Sequence, residues 1–227
     1  MICHDYKCVF IHIPKAAGQS VEQYFLHKVG LDWQTRAPLL LRKNDDPTMG
    51  PPKLAHLTAL EYTTYNYLSQ QEFDSYYKFS FVRDPFTRTI SFYKYLGYHS
   101  MVTFDVFVKN YLPKLIKEQY WFLMPQVNFL YDNDKPLFDF VGRFENINSD
   151  FEKVCTALNM PDADLPHANK SKKEKYERLK LIRKDPSVLK HLSFNLKEGK
   201  GVADYYTDEL KDIVYNMYKP DFEKFGY

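Results

Sequence analysis

"CVFIHIPKAAGQSVEQYF", residues 8–25, passes from a solid apolar run through a lysine and a glycine into a helix-like tail. Val9, Phe10, Ile11 and Ile13 form an apolar, β-branched run that predicts a short buried strand. Val21, Tyr24, Phe25 and Lys28 follow helical spacing. The join is a strand, a loop over residues 14–19 and a helix expected from about Ser20. Gly18 marks a point where the backbone must come close to something. The first N–H groups of the helix lack intrahelical partners and turn back toward the loop, which suits an anion. The order differs from GxxxxGK[ST]: Lys15 precedes the glycine and no glycine stands four or five residues before it, so an ATP-cradling loop is a poor match. Taken alone, the stretch also reads as a tight turn carrying a solvated lysine.

The same grammar returns in "YYKFSFVRDPFTRTISFYKYLGY", residues 76–98. An apolar run over 79–82 ends in Arg83. Asp84 and Pro85 take the N-cap and first-turn positions of a helix that runs to Gly97. Arg88, Ser91 and Tyr95 share one face of it by three- and four-residue spacing, and Ile90, Tyr93 and Leu96 face the core. Arg83 at the strand end and Ser91 two turns along can converge on one anion, a forked guanidinium and a hydroxyl. The alternative is Arg83 in a structural pair with Asp84 or another carboxylate. Strands alternating with helices predict an α/β fold with a mainly parallel sheet, in which ligands bind beyond the carboxyl ends of the strands. Lys15 and Arg83 both fall there.

Residues 31–53 hold four prolines and a glycine and read as a long excursion. Thr58 with Glu61, Ser69 with Glu72 and Ser149 with Glu152 each have capping-box spacing, so a short helix is expected after each. His56 then sits just before a helix start. "TFDVFVKNYLPKLI" predicts an amphipathic helix interrupted at Pro113. "QVNFLYDNDKPLFDFVGRF" predicts two extended runs around a turn at residues 132–134. Thr207, Asp208 and Glu209 open a last helix ending near Tyr218.

The 227 residues suit one globular domain, 1–227, with a substantial aromatic core: 44% of residues are hydrophobic and 17% aromatic. Net charge is only +2, which excludes a generally basic nucleic-acid-binding protein. Eleven Lys or Arg against four Asp or Glu nevertheless fall in residues 170–200. A solvated helix over 174–184 with i,i+4 pairs accounts for many of them. Cys3, Cys8 and Cys155 show no ligand spacing, the histidines share no metal pattern, and no stretch approaches the ~20 apolar residues of a membrane span. With no secretory pattern at the start, the expectation is a soluble, cytoplasmic protein.

Two separated motifs resemble the sulfotransferases that use 3′-phosphoadenosine 5′-phosphosulfate, PAPS, and in particular the carbohydrate type. "FIHIPKAAGQS" is similar to the family's 5′-phosphosulfate loop, and "FVRDPFTRTISFYKYL" to its 3′-phosphate motif, in which an Arg and a Ser eight residues later hold the phosphate. Weaker similarity extends through "HLTALEY", "FVGRFENINSDFEKV", "LPHANKS" and "YNMYKPDFEKFGY". The resemblance implies a P-loop-like three-layer sandwich, a mainly parallel sheet flanked by helices. It implies PAPS as co-substrate, 3′-phosphoadenosine 5′-phosphate as product, no metal, and a hydroxyl-bearing acceptor, a sugar or glycan. Residue by residue it places the donor against Lys15, Ala16, Ala17, Gly18, Gln19, Ser20, Arg83 and Ser91, with Lys170 and Ser171 of a basic loop near the nucleotide. Lys15 stabilises the leaving phosphate, and His56, matching a histidine between the two motifs, is the general base. A packing role at the Thr58 helix start is the other reading of His56, and an exposed linker the other reading of "LPHANKS". Trp33 and the excursion, with Tyr120, Trp121 and Gln126, are expected to line the acceptor pocket. The rival classes are a kinase-like nucleotide phosphotransferase, which needs metal ligands and a phosphate-wrapping glycine pattern, and a non-catalytic polyanion-binding protein.

Overall fold

A computed structural model describes residues 1–160, 162–166, 177–193, 196, 199 and 201–227. Lys170 and Ser171 lie outside the described residues, as does most of the basic loop before the helix Glu177–Lys184. The chain divides into two compact units, Met1–Arg83 with Met124–Lys170, and Asp84–Leu123 with Ser171–Tyr227.

The first unit is built on a four-stranded sheet in the order β1, β2, β3, β4: Ile2–Cys3, Cys8–Ile11, Tyr77–Val82 and Phe140–Arg143. β1 runs antiparallel to β2, while β2, β3 and β4 are parallel. Helices flank this mixed, mainly parallel sheet, in agreement with the alternation of strand and helix patterns. All four residues of β2 are buried and β3 is buried from Lys78 on, as expected of continuous apolar runs in a parallel sheet. Phe10 stacks on Phe79 at 5.1 Å. Val21, Phe25 and Leu26 of helix α1 (Gly18–Lys28) and Phe151, Val154 and Cys155 of helix α3 (Ile147–Ala157) join Phe10, Phe79 and Phe81 in one core.

In the second unit, helix α2 (Pro85–Tyr95) and helix α4 (Asp208–Phe225) enclose an aromatic core with Phe104, Phe107 and Tyr111. Asp84 caps α2 by accepting from the Thr87 amide at 2.7 Å, and Thr207 caps α4.

Several sequence expectations need correction. Helical backbone continues past Pro113: Phe104–Val106 passes through a π-helical turn, Phe107–Tyr111, into Leu112–Glu118, the wider turn falling just before the proline. α4 breaks at Tyr218, near its expected end: the backbone there is non-helical (φ −118°, ψ 22°), two residues before Pro220, and a further helical stretch continues to Phe225. Ser149 lies inside α3 and donates to the Asn146 carbonyl, because the helix starts earlier than the Ser-Glu spacing suggested. Residues Val127–Leu130 are a helical turn rather than extended chain, while the extended runs around the turn at 132–134 form as the short antiparallel pair Tyr131–Asp132 and Lys135–Pro136. The boxes at Thr58–Glu61 and Ser69–Glu72 do form.

Candidate active site

β2 ends at Ile11, and the chain passes through His12, Ile13 and Pro14 into the loop. Lys15 (φ 68°) and Ala17 (φ 66°) are both left-handed, at a steric cost of about 1–2 kcal/mol each, and Ala16 between them is buried. Alternating backbone of this kind turns successive N–H groups into a concavity that suits an anion. α1 begins at Gly18, two residues before the expected start, with no side chain capping it. Gln19 is exposed and Ser20 buried.

The group that approaches Gly18 is a side chain of the same unit. A Cβ at Gly18 would fall 1.9 Å from His12 Nε2 and 2.0 Å from its Cδ2. The imidazole fills the space a side chain would need. His12 Nδ1–H donates to Glu22 Oε1 at 2.5 Å, both residues being buried. The backbone carbonyl of His12 accepts from His56 Nδ1–H at 3.1 Å, and the two rings meet edge to face at 4.4 Å. That hydrogen bond fixes the neutral tautomer of His56 with its lone pair on Nε2. His56 is buried at the end of a 3₁₀ turn, Leu54–His56. Burial first, then the His12 and Lys53 charges, hold its pKa well below the ordinary histidine value, against the carbonyl bond, which raises it.

Arg83 follows the last residue of β3. Its Nη1 donates to the Lys15 carbonyl at 3.2 Å and its guanidinium lies 4.1 Å from the centre of the Phe144 ring. Lys15 and Arg83 are therefore joined directly. Burial, then the charges of Arg83 and Lys53, pull the Lys15 ammonium down to about 8. Lys15, Ala16, Ala17, Gly18, Gln19, Ser20, Arg83 and His56 all fall in the first unit. Ser91 belongs to the second and is half-buried on α2.

Arg88 was expected to share an outward face with Ser91 and Tyr95. It is instead fully buried, its Nη1 4.0 Å from Asp221 Oδ2 of α4 and its guanidinium 4.9 Å from the Phe92 ring. Gln126 was expected at an acceptor pocket. It is also fully buried: its Oε1 accepts from the Arg83 amide at 2.9 Å and its Nε2 donates to the Arg83 carbonyl at 2.8 Å. Neither position was legible from spacing, because each is set by contact with a residue far along the chain. Arg143 and Phe144 were missed as well. The parallel register sets Arg143 opposite Val82, placing another cation at a carboxyl end of the sheet. The signal available was "GRF" closing an apolar run.

A loop lysine and a strand-end arginine bonded to its carbonyl thus lie at the carboxyl ends of parallel strands, an arrangement suited to an anion. The sequence model described as the sulfotransferase family matches residues 1–227, and the chain belongs to that family. It is also similar to an uncharacterized protein of Archaeoglobus fulgidus, 29% identical over 101 residues that cover 43% of this chain and 79% of the relative. No solved structure matches the chain. No helix among the described residues is long and apolar enough to cross a membrane.

Proposed function

We propose that the protein transfers the sulfuryl group of PAPS to a hydroxyl of a carbohydrate acceptor. The observation that carries the reading is the Arg83–Lys15 hydrogen bond, which links the two anion-suited strand ends. We take the loop to be P-loop-like in shape, although its lysine precedes its glycine. In this reading the 5′-phosphosulfate sits on the amides of residues 16–20 at the positive end of α1, and Arg83 and Ser91 take the 3′-phosphate.

The acceptor oxygen attacks sulfur as the bond from sulfur to the bridging phosphate oxygen breaks. The acceptor proton passes to His56 Nε2, and the leaving oxygen's growing negative charge falls to Lys15. A buried, depressed His56 is unprotonated at neutral pH, and the same burial that keeps it neutral lowers its basicity. Sulfuryl transfer assembled in this way calls on no metal. Cationic side chains supply the stabilisation that magnesium gives in phosphoryl transfer.

The test is a thermal-shift titration with 3′-phosphoadenosine 5′-phosphate beside 5′-AMP and ATP with magnesium. A ligand at a hundred times its Kd adds about 2.7 kcal/mol of apparent stability. Stabilisation by the 3′-phosphorylated nucleotide alone, abolished in Arg83→Ala, is the expected result. Preference for ATP would favour the kinase-like reading, and a response to polyanions alone would favour the binding protein.

A further inference from the structure

We propose that Gln126 is a positioning residue of the nucleotide site, acting through Arg83; this rests on the assignment of Arg83 to the 3′-phosphate. Arg83 lies one residue beyond the last β3–β4 register pair, Val82 with Arg143. Its backbone has passed out of the ladder at the point where its side chain must be fixed. The Gln126 carboxamide takes the place of a neighbouring strand. It accepts the Arg83 N–H and donates to the Arg83 carbonyl, as a peptide group in a sheet would.

A primary amide has the donor and acceptor needed for both bonds, whereas an ionised carboxylate lacks the donor and an alkyl group lacks both. Gln126 is in turn anchored by its own backbone. Its carbonyl accepts from the Phe129 amide at 3.0 Å, and the Phe129 carbonyl accepts from the Ala59 amide at 2.8 Å, three residues after His56. One helical turn, Val127–Leu130, therefore ties the stretch that follows His56 to the residue that grips Arg83. With its backbone held by Gln126, Arg83 reaches the Lys15 carbonyl and lies on Phe144, so its guanidinium has one settled direction.

The experiment measures Kd for 3′-phosphoadenosine 5′-phosphate and for 5′-AMP by calorimetry, in the parent chain, Gln126→Met, Gln126→Glu and Arg83→Ala. Gln126→Met keeps the volume and removes both hydrogen bonds. It is expected to weaken the 3′-phosphorylated nucleotide by about tenfold, a change of about 1.4 kcal/mol, and 5′-AMP by no more than about twofold. Gln126→Glu keeps the shape and the acceptor but turns a second oxygen on the Arg83 carbonyl; it carries the same comparison should the methionine variant fail to fold. A merely structural glutamine would weaken both nucleotides alike or neither. An unchanged ratio in a folded variant overturns the proposal, provided Arg83→Ala abolishes the discrimination. If Arg83→Ala leaves the discrimination intact, the fault lies in the assignment of Arg83 itself.

Discussion

Gly18→Ala separates backbone preference from packing. Gly18 is the first residue of α1 and its φ is not positive, so by helix propensity alone alanine stabilises, by about 0.5–1 kcal/mol. The structure reverses that sign. The new Cβ would lie within 2.3 Å of three ring atoms of His12, where ordinary contact begins near 3.4 Å, so the imidazole must shift by more than an ångström. Overpacking of this kind costs about 1–3 kcal/mol. Displacing the ring also strains the buried bond to Glu22, and a hydrogen bond to a charged group contributes about 1.5–3 kcal/mol. Net destabilisation of roughly 2–4 kcal/mol follows, a fall in Tm of about 10 °C for a chain of this size. Urea unfolding of Gly18→Ala, His12→Ala and the double variant reads it. The alanine is expected to cost far less once His12 is removed, giving a coupling energy above about 1 kcal/mol. If Gly18→Ala proves as stable as the parent, or its cost is the same with and without the imidazole, the reasoning fails.

Lys15→Ala is expected to abolish sulfuryl transfer while leaving Tm within a few degrees, since a half-buried loop lysine contributes little to the fold; turnover near that of the parent would reject the role. Because the Lys15 pKa is depressed to about 8, its charge is present below that pH and lost above it, so the transfer rate should fall as pH rises through about 8. Between about 8 and the unfolded value of 10.5 the unfolded chain binds the additional proton, so the same lysine makes stability rise with pH while activity falls. A pH–rate profile that stays flat to pH 9.5 would contradict this. Asp221→Ala, which leaves Arg88 buried beside an empty volume, is expected to cost about 3–5 kcal/mol in chemical unfolding; a loss below 1 kcal/mol would show that the pair adds little.

The two strand-to-helix junctions, and the parallel α/β core they imply, follow from local pattern in the chain. Period and composition act locally there: unbroken apolar runs become buried parallel strands, and Asp84 and Pro85 set a helix start within a turn of themselves. Lys15, Arg83 and His56 were legible for the same reason, each standing where a recognisable element begins or ends. What surrounds them is set by contacts that exist only once the chain has folded. Gly18 marked a close approach of unnamed identity, and the group pressed against it is His12, held by Glu22 one helical turn along. Arg88 shared the Ser91 face by spacing and Gln126 was expected at a pocket by loop position, and both are buried by partners 133 and 43 residues away in the chain. No periodicity carries that information, because a buried polar side chain is fixed by the particular donor or acceptor that offsets its desolvation, and that partner is brought close only when the chain has folded.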